Sequence, residues 1–244
     1  MFPSLLHLLS TAAAVVAVLA PIPSFWRVFK TRSTDCVSVL PAILTFCNCY
    51  TWAMYARVVN SIPPLFVVYA VGMLSSILCA GIYYHWTQDH ARINKLYGVA
   101  FYVLAIYTLY YSLGTSGATN QSDNAVGNTL GVFSGLINLA LYASPLETAK
   151  DVVENKDAST IPIAISVLLL SNSVTWVVHS EVEGDMLVLV PNAIGIALCM
   201  AQVVLYVIYY PSKEDEVSVN CGSTSSTCET VRDLWYESLK EVEA

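Results

Sequence analysis

The sequence predicts an all-α membrane protein in which seven transmembrane helices form two parallel three-helix repeats joined by a linker helix, a 3+1+3 arrangement. Three observations carry that expectation. Of the 244 residues, 56% are hydrophobic and only 12% are charged, with a mean hydropathy of +0.59. A soluble domain carries about 25% charged residues, so much of this surface has to face lipid. The 18 acidic and 11 basic residues gather into a few clusters and leave long charge-free stretches between them. Finally, Asn48-Cys49-Tyr50-Thr51-Trp52 returns as Asn172-Ser173-Val174-Thr175-Trp176, at an offset of 124 residues.

The charge-free stretches run from Met1 to Trp26, Cys36 to Ala56, Val58 to Gln88, Leu96 to Ser122, Asn124 to Leu146, Ala158 to Ser180 and Met186 to Ser212. Each meets the length of about 20 residues that a bilayer core demands of a helix. The first lacks a basic segment before it and has its positive charges after it, the reverse of a cleaved signal peptide. Arg27, Lys30 and Arg32 follow span one, Arg92 and Lys95 follow span three, Lys150 and Lys156 follow span five, and Lys213, Arg232 and Lys240 follow span seven. Ten of eleven basic residues therefore share one side, with Arg57 opposite. The excess of lysine and arginine marks that side as cytosolic. The N-terminus is then outside, as are the loops carrying Asp123 and Glu181, Glu183 and Asp185. A multi-pass plasma-membrane protein is the default expectation, with an internal membrane the alternative. Asn120-Gln121-Ser122 is a glycosylation sequon in an outer loop, close to span five. Trp26 and Trp86 stand beside basic loops, where an aromatic belt is expected.

The repeat extends beyond one motif. The offset of 124 also carries Pro21 onto Pro145 and Arg32 onto Lys156, while Pro41 and Pro162, which open spans two and six, differ by 121. The expected organisation is a first repeat over 1–90, a linker helix and outer loop over 91–122, a second repeat over 123–211, and a cytosolic acidic tail over 212–244. An odd linker span lets both copies keep the same orientation. Two three-helix bundles face to face can enclose a pathway that neither encloses alone, and substrate sites in repeat-built carriers lie at such an interface.

Several functions find no support. There is no nucleophile–base constellation, no paired carboxylates and no phosphate-cradling loop. The seven cysteines (36, 47, 49, 79, 199, 221 and 228) have no metal-ligand spacing and no disulfide framework. No catalytic residue, metal, cofactor or nucleic-acid partner is expected. Ion-coupled carriers need an ionisable group inside the membrane, and no carboxylate lies deep within a span. His179, beside Glu181 at the outer end of span six, reads as interfacial.

The segment Leu19 to Thr34 (LAPIPSFWRVFKTRST), Tyr142 to Leu146 (YASPL) and Pro191 to Tyr206 (PNAIGIALCMAQVVLY) resemble the SWEET sugar transporters in their eukaryotic form, a resemblance covering residues 5–211. It implies bidirectional, uncoupled sugar transport by alternating access, a sugar as partner within a lipid bilayer, and homo-oligomers. It also implies four gating prolines, at Pro21, Pro41, Pro145 and Pro162, where a missing backbone N–H favours a kink. The family pocket has a pair of asparagines and a facing pair at the Trp176 level. Asn192 matches the second asparagine. The first is expected just before Gly72, where this chain has Val71. Trp52 and Trp176 would face one another across the pathway and stack on a pyranose, and such a narrow slot favours a monosaccharide such as glucose. Asn48 and Asn172 are as readily structural hydrogen-bonders as ligand contacts. Two alternatives remain. PQ-loop carriers of other solutes have a Pro-Gln pair where this chain has Pro41-Ala42 and Pro162-Ile163. A non-transporting seven-helix receptor is the other.

The tail from Lys213 turns polar and acidic. Ser226 and Glu229 form a capping box, followed by Val231, Leu234, Trp235, Leu239 and Val242 on one helical face. An amphipathic helix and a disordered tail are both open readings.

Overall fold

The computed structural model describes residues 2–34, 37–59, 65–144, 152, 153, 156 and 163–209. Eight helices are described: α1 (Phe2–Leu19), α2 (Ile22–Thr31), α3 (Leu40–Val58), α4 (Leu65–Trp86), α5 (His90–Thr115), α6 (Asp123–Ala143), α7 (Ile163–Glu183) and α8 (Met186–Ile208). The expected tail helix, Pro145 and Pro162 lie outside the described residues.

Span one is two helices rather than one. Pro21 has no N–H to continue the ladder of α1, so Ala20 closes α1 with a tight bond to the Ala17 carbonyl and the chain restarts on the Pro21 carbonyl, which accepts from Ser24 and Phe25. Helix α2 carries the charges Arg27 and Lys30 and ends at Arg32, in the left-handed region at φ 54°. Lys156, one repeat later, has the same φ of 54°. The repeat therefore extends to the backbone of a turn.

By length and composition, six elements can cross a membrane: α1 with α2, α4, α5, α6, α7 and α8. Helix α3 falls outside this group; its most polar residues are Asn48 and Arg57, and Thr45 and Thr51 are turned inward. Thr45 and Thr51 are buried, and each donates its hydroxyl to the carbonyl one turn back, on Pro41 (2.8 Å) and Cys47 (3.0 Å). In hydrocarbon such back-bonding is how a helix carries hydroxyls without leaving a donor unmet.

The third span of each repeat lies between the first two: α4 packs on α1 and α3, and α8 packs on α6 and α7. The bundles meet along α1 with α7 and along α3 with α6, the two contacts that a two-fold relation between repeats exchanges. Linker α5 leans mainly on α3 and α6, with a further bond from the Tyr97 hydroxyl to the Ala80 carbonyl of α4 at 2.8 Å. Its outer face is bare for lipid, with Phe101 76% exposed. Its inner face holds Tyr107, buried, whose hydroxyl lies 3.0 Å from the Thr51 carbonyl of α3 and 3.1 Å from Ser134 Oγ of α6. The 3+1+3 arrangement is thus present, with the linker clasping one side of the interface between bundles.

Within the second bundle, Gln202 is the main polar fastener. It is 1% exposed, donates to the Tyr142 carbonyl (2.9 Å) and accepts from Ser166 Oγ (2.7 Å), so one side chain of α8 bonds both α6 and α7. Cys47, Cys49, Cys79 and Cys199 are buried free thiols and pack as small apolar groups.

Candidate functional site

A cavity of about 290 Å³ lies between the two bundles. Helical spacing explains its walls. On α3, Thr45, Asn48, Trp52 and Tyr55 recur every three or four residues and share one face; on α7, Leu169, Asn172, Trp176 and His179 do the same. The repeated Asn-x-x-x-Trp motif therefore places an amide and an indole one turn apart on each side of one space. Both tryptophans line it. Trp52 is 6% exposed and edge-on to Tyr55, with ring centroids 5.3 Å apart.

The two amides of the motif behave differently. Asn48 Oδ1 accepts from the indole nitrogen of Trp52 at 3.1 Å and so fixes that ring. Asn172 Oδ1 is buried and has no hydrogen-bond partner among the described residues. Buried polar atoms are nearly always paired, so an unpaired acceptor in a cavity wall marks a place for a donor brought by a ligand or water.

Asn192 is 4% exposed and also lines the cavity. Its Oδ1 accepts from the Tyr142 hydroxyl (2.9 Å) and its Nδ2 donates to the Val188 carbonyl (2.7 Å). A primary amide has two donors and an acceptor oxygen with two lone pairs, so one N–H and one lone pair stay open to a ligand. Tyr142 also has the side chains of Asn138, Asn172 and Ser173 within reach. Sequence reasoning placed Tyr142 only within a motif and missed Asn138. The repeat was the available signal, since Tyr142 is the mate of Val18, another wall residue, at the offset of 124.

At the acidic-loop end, Asp185 lies in the connection between α7 and α8, the loop where the sequence places it, while Glu181 and Glu183, expected in the same loop, belong to the last turn of α7. Asp185 is the N-cap of α8: its Oδ1 accepts from the amides of Leu187 (3.0 Å) and Val188 (3.2 Å). Its Oδ2 accepts from the Tyr55 hydroxyl at 3.0 Å. Gly184 makes this possible by turning the chain at φ 73° directly after α7. One bond thus ties α3 of the first bundle to α8 of the second at the cavity mouth. His179, expected at the interface, lines the cavity with its ring edge-on to Trp176, centroids 5.2 Å apart.

Two further expectations meet a different geometry. Val71 is absent from the cavity wall; α4 contributes Val68 and Tyr69 instead. The glycine register places the inward face one turn earlier than the residue next to Gly72. Pro41 sits in the first turn of α3, where no helical N–H bond is lost, so it starts that helix rather than kinking it. Pro21 does interrupt its span, and Pro191 is the proline inside a described helix, packed 3.3 Å from a methyl position built on Gly135.

The comparisons with known proteins match this architecture. The MtN3_slv family, described as "Sugar efflux transporter for intercellular exchange", matches residues 4–91 and, a second time, residues 128–214. The chain belongs to this SWEET family. Its double match falls on the two bundles and leaves α5 between them. "Bidirectional sugar transporter SWEET15" of Oryza sativa subsp. indica is 26% identical over 97% of this chain and 72% of its own length. "Bidirectional sugar transporter SWEET17" of Arabidopsis thaliana is 26% identical over 82% of each chain. A solved structure of a eukaryotic SWEET transporter shares the fold with a TM-score of 0.70 at 19% identity, covering 85% of this chain and 96% of that one.

Proposed function

We propose that this chain is a facilitative, bidirectional sugar transporter that carries a monosaccharide such as glucose by alternating access. Membership of a sugar-transporter family and relatives named as bidirectional sugar transporters supply the reaction class. The observation that carries the finer reading is the middle of the cavity wall, where amides, hydroxyls and two indoles stand among aliphatic side chains, with open hydrogen-bonding capacity on Asn192 and Asn172. The ionisable residues of the lining, His179, Glu183 and Asp185, gather at the acidic-loop end. A neutral polyol needs donors and acceptors to replace its lost water and flat apolar faces for its C–H surface. It needs no charge.

Asn192 binds sugar hydroxyls, and Trp52 and Trp176 sandwich the ring. Two carboxylates, Glu183 and Asp185, lie on the cavity lining at the acidic-loop end; Asp185 is engaged by three donors there and serves as a latch rather than as an ion relay. Transport then needs only that the bundles rock about the site. The Tyr55–Asp185 bond parts when that end opens, and the bend at Pro21 lets α2 swing at the other. The acidic-loop end faces outside in this reading, with the N-terminus out and the basic loops cytosolic, in a multi-pass plasma-membrane protein.

The test is glucose counterflow in liposomes holding the purified protein, with sucrose as competitor, with and without a protonophore. The expected result is glucose flux that ignores the protonophore and falls in Asn192→Ala. Absence of flux with glucose, fructose and sucrose overturns the sugar assignment; flux abolished by the protonophore overturns the uncoupled mechanism.

A further inference from the structure

The two repeats do not contribute equally to the cavity, and they differ at one position of the first span and one of the third. Gly72 and Gly195 are structural mates. A methyl built on Gly72 runs into Cys49 and comes within 3.2 Å of Val18; one built on Gly195 lies 2.6 Å from the Tyr142 ring. Val18 and Tyr142 are themselves repeat mates at the offset of 124, so each glycine lets the third span close on the same point of the first. Counting back one turn from each glycine gives Tyr69 and Asn192, both on the cavity wall. The second repeat thus presents a phenol on its first span (Tyr142) and an amide on its third (Asn192). The first repeat presents an aliphatic residue (Val18) and a phenol (Tyr69).

From this geometry we infer that Tyr69 is a specificity-determining residue that limits the cavity to a single sugar ring. The inference rests on the sugar-carrier reading above and names the side chain that sets its substrate size. Tyr69 packs against the cluster of Trp52, Tyr55 and Tyr107, so its ring is held as part of the wall rather than left free to swing aside. It is far larger than the amide that stands at its mate's position, and both side chains line the same cavity. The remaining space of about 290 Å³ lies at the lower edge of the range of ligand cavities, about 300–1,000 Å³. A pyranose fits between the indoles; a second ring meets the phenol of Tyr69.

The test compares wild type, Tyr69→Asn and Tyr69→Leu in the same liposomes, measuring competition of glucose counterflow by glucose and by sucrose. Tyr69→Asn restores the symmetric amide and removes the ring; Tyr69→Leu keeps apolar packing and shortens the side chain. The expected result is that sucrose competes at least tenfold better, relative to glucose, in either variant than in wild type. A sucrose-to-glucose ratio within twofold of wild type in the variants that carry glucose overturns the inference. If Tyr69→Asn fails to fold, Tyr69→Leu alone decides between the same two outcomes. A wild-type protein without sugar flux fails the underlying reading instead, and is distinguishable because no variant comparison then arises.

Discussion

Replacing Asn192 by alanine is expected to weaken glucose transport, but the single variant mixes two effects. The side chain makes two bonds inside the protein, to Tyr142 and to the Val188 carbonyl, and keeps one N–H and one lone pair for substrate. Truncation takes from the buried Tyr142 hydroxyl its acceptor on Asn192, which costs up to about 1–3 kcal/mol of stability whatever the substrate does, less where Asn138, Asn172 or Ser173 takes over the bond. Two bonds to sugar hydroxyls are worth about 0.5–1.5 kcal/mol each, or roughly 1–3 kcal/mol together. At about 1.4 kcal/mol per tenfold, that is roughly a 5- to 150-fold loss of apparent affinity. The two contributions separate in a Tyr142→Phe background, where no hydroxyl is left to strand. We expect Tyr142→Phe alone to carry glucose, and Asn192→Ala in that background to raise the KM for counterflow by roughly 5- to 150-fold. Thermal unfolding of each variant in detergent accompanies the transport series, to show that all are folded. A double variant that is folded and whose KM lies within twofold of Tyr142→Phe refutes the role of Asn192 as a sugar ligand and leaves it a structural amide.

Three other outcomes follow from named contacts. Tyr55→Phe removes the donor from α3 to Asp185; a hydrogen bond to a charged group is worth about 1.5–3 kcal/mol, so opening at that end should become roughly 10- to 150-fold more favourable. A Val188→Cys reporter should then react at least tenfold faster with a hydrophilic thiol reagent applied from that side, and an unchanged rate removes the latch. Gln202→Leu leaves Ser166 and the Tyr142 carbonyl without their partner; a loss of about 1–3 kcal/mol should appear as a lower Tm, and a wild-type Tm contradicts the fastener role. Gly195→Ala sets a methyl 2.6 Å from the Tyr142 ring, where carbon contacts are about 3.5–4.0 Å. It should cost about 1–3 kcal/mol and displace the hydroxyl from Asn192, lowering both Tm and glucose flux; a variant with both intact shows that the helices part freely there.

The membrane class and the repeat were legible in the residues, because both are one-dimensional signals. A bilayer excludes charge over a fixed length, so charge-free stretches of that length announce themselves. A duplicated bundle keeps the residues its packing needs, so Asn48 and Trp52 reappear as Asn172 and Trp176. Their place on the cavity wall follows from the helical period, which puts residues four apart on one face. Asn192 was found through a family motif, and the structure sets it in the same wall.

What the chain alone left open depends on register between helices and on short connections. Asp185 stands in the loop where the sequence places it, but only the turn at Gly184 from α7 directly into α8 makes it a cap and brings it to Tyr55, 130 residues earlier. Pro41 opens span two already in the sequence, and the structure sets it in the first turn of α3, where proline breaks no ladder because none precedes it; the kink that the family resemblance implies there does not form. Tyr69 was hidden behind Val71 because the first-repeat partner of Asn192 was sought directly before Gly72, whereas Asn192 stands one full turn before Gly195; the packing of Gly72 on Val18 and Cys49 pairs the two glycines, and the same count then gives Tyr69. The composition of the spans is decided by the solvent, one residue at a time. The identity of the wall that meets a substrate is decided by how six helices are rotated against one another, and only packing sets that angle.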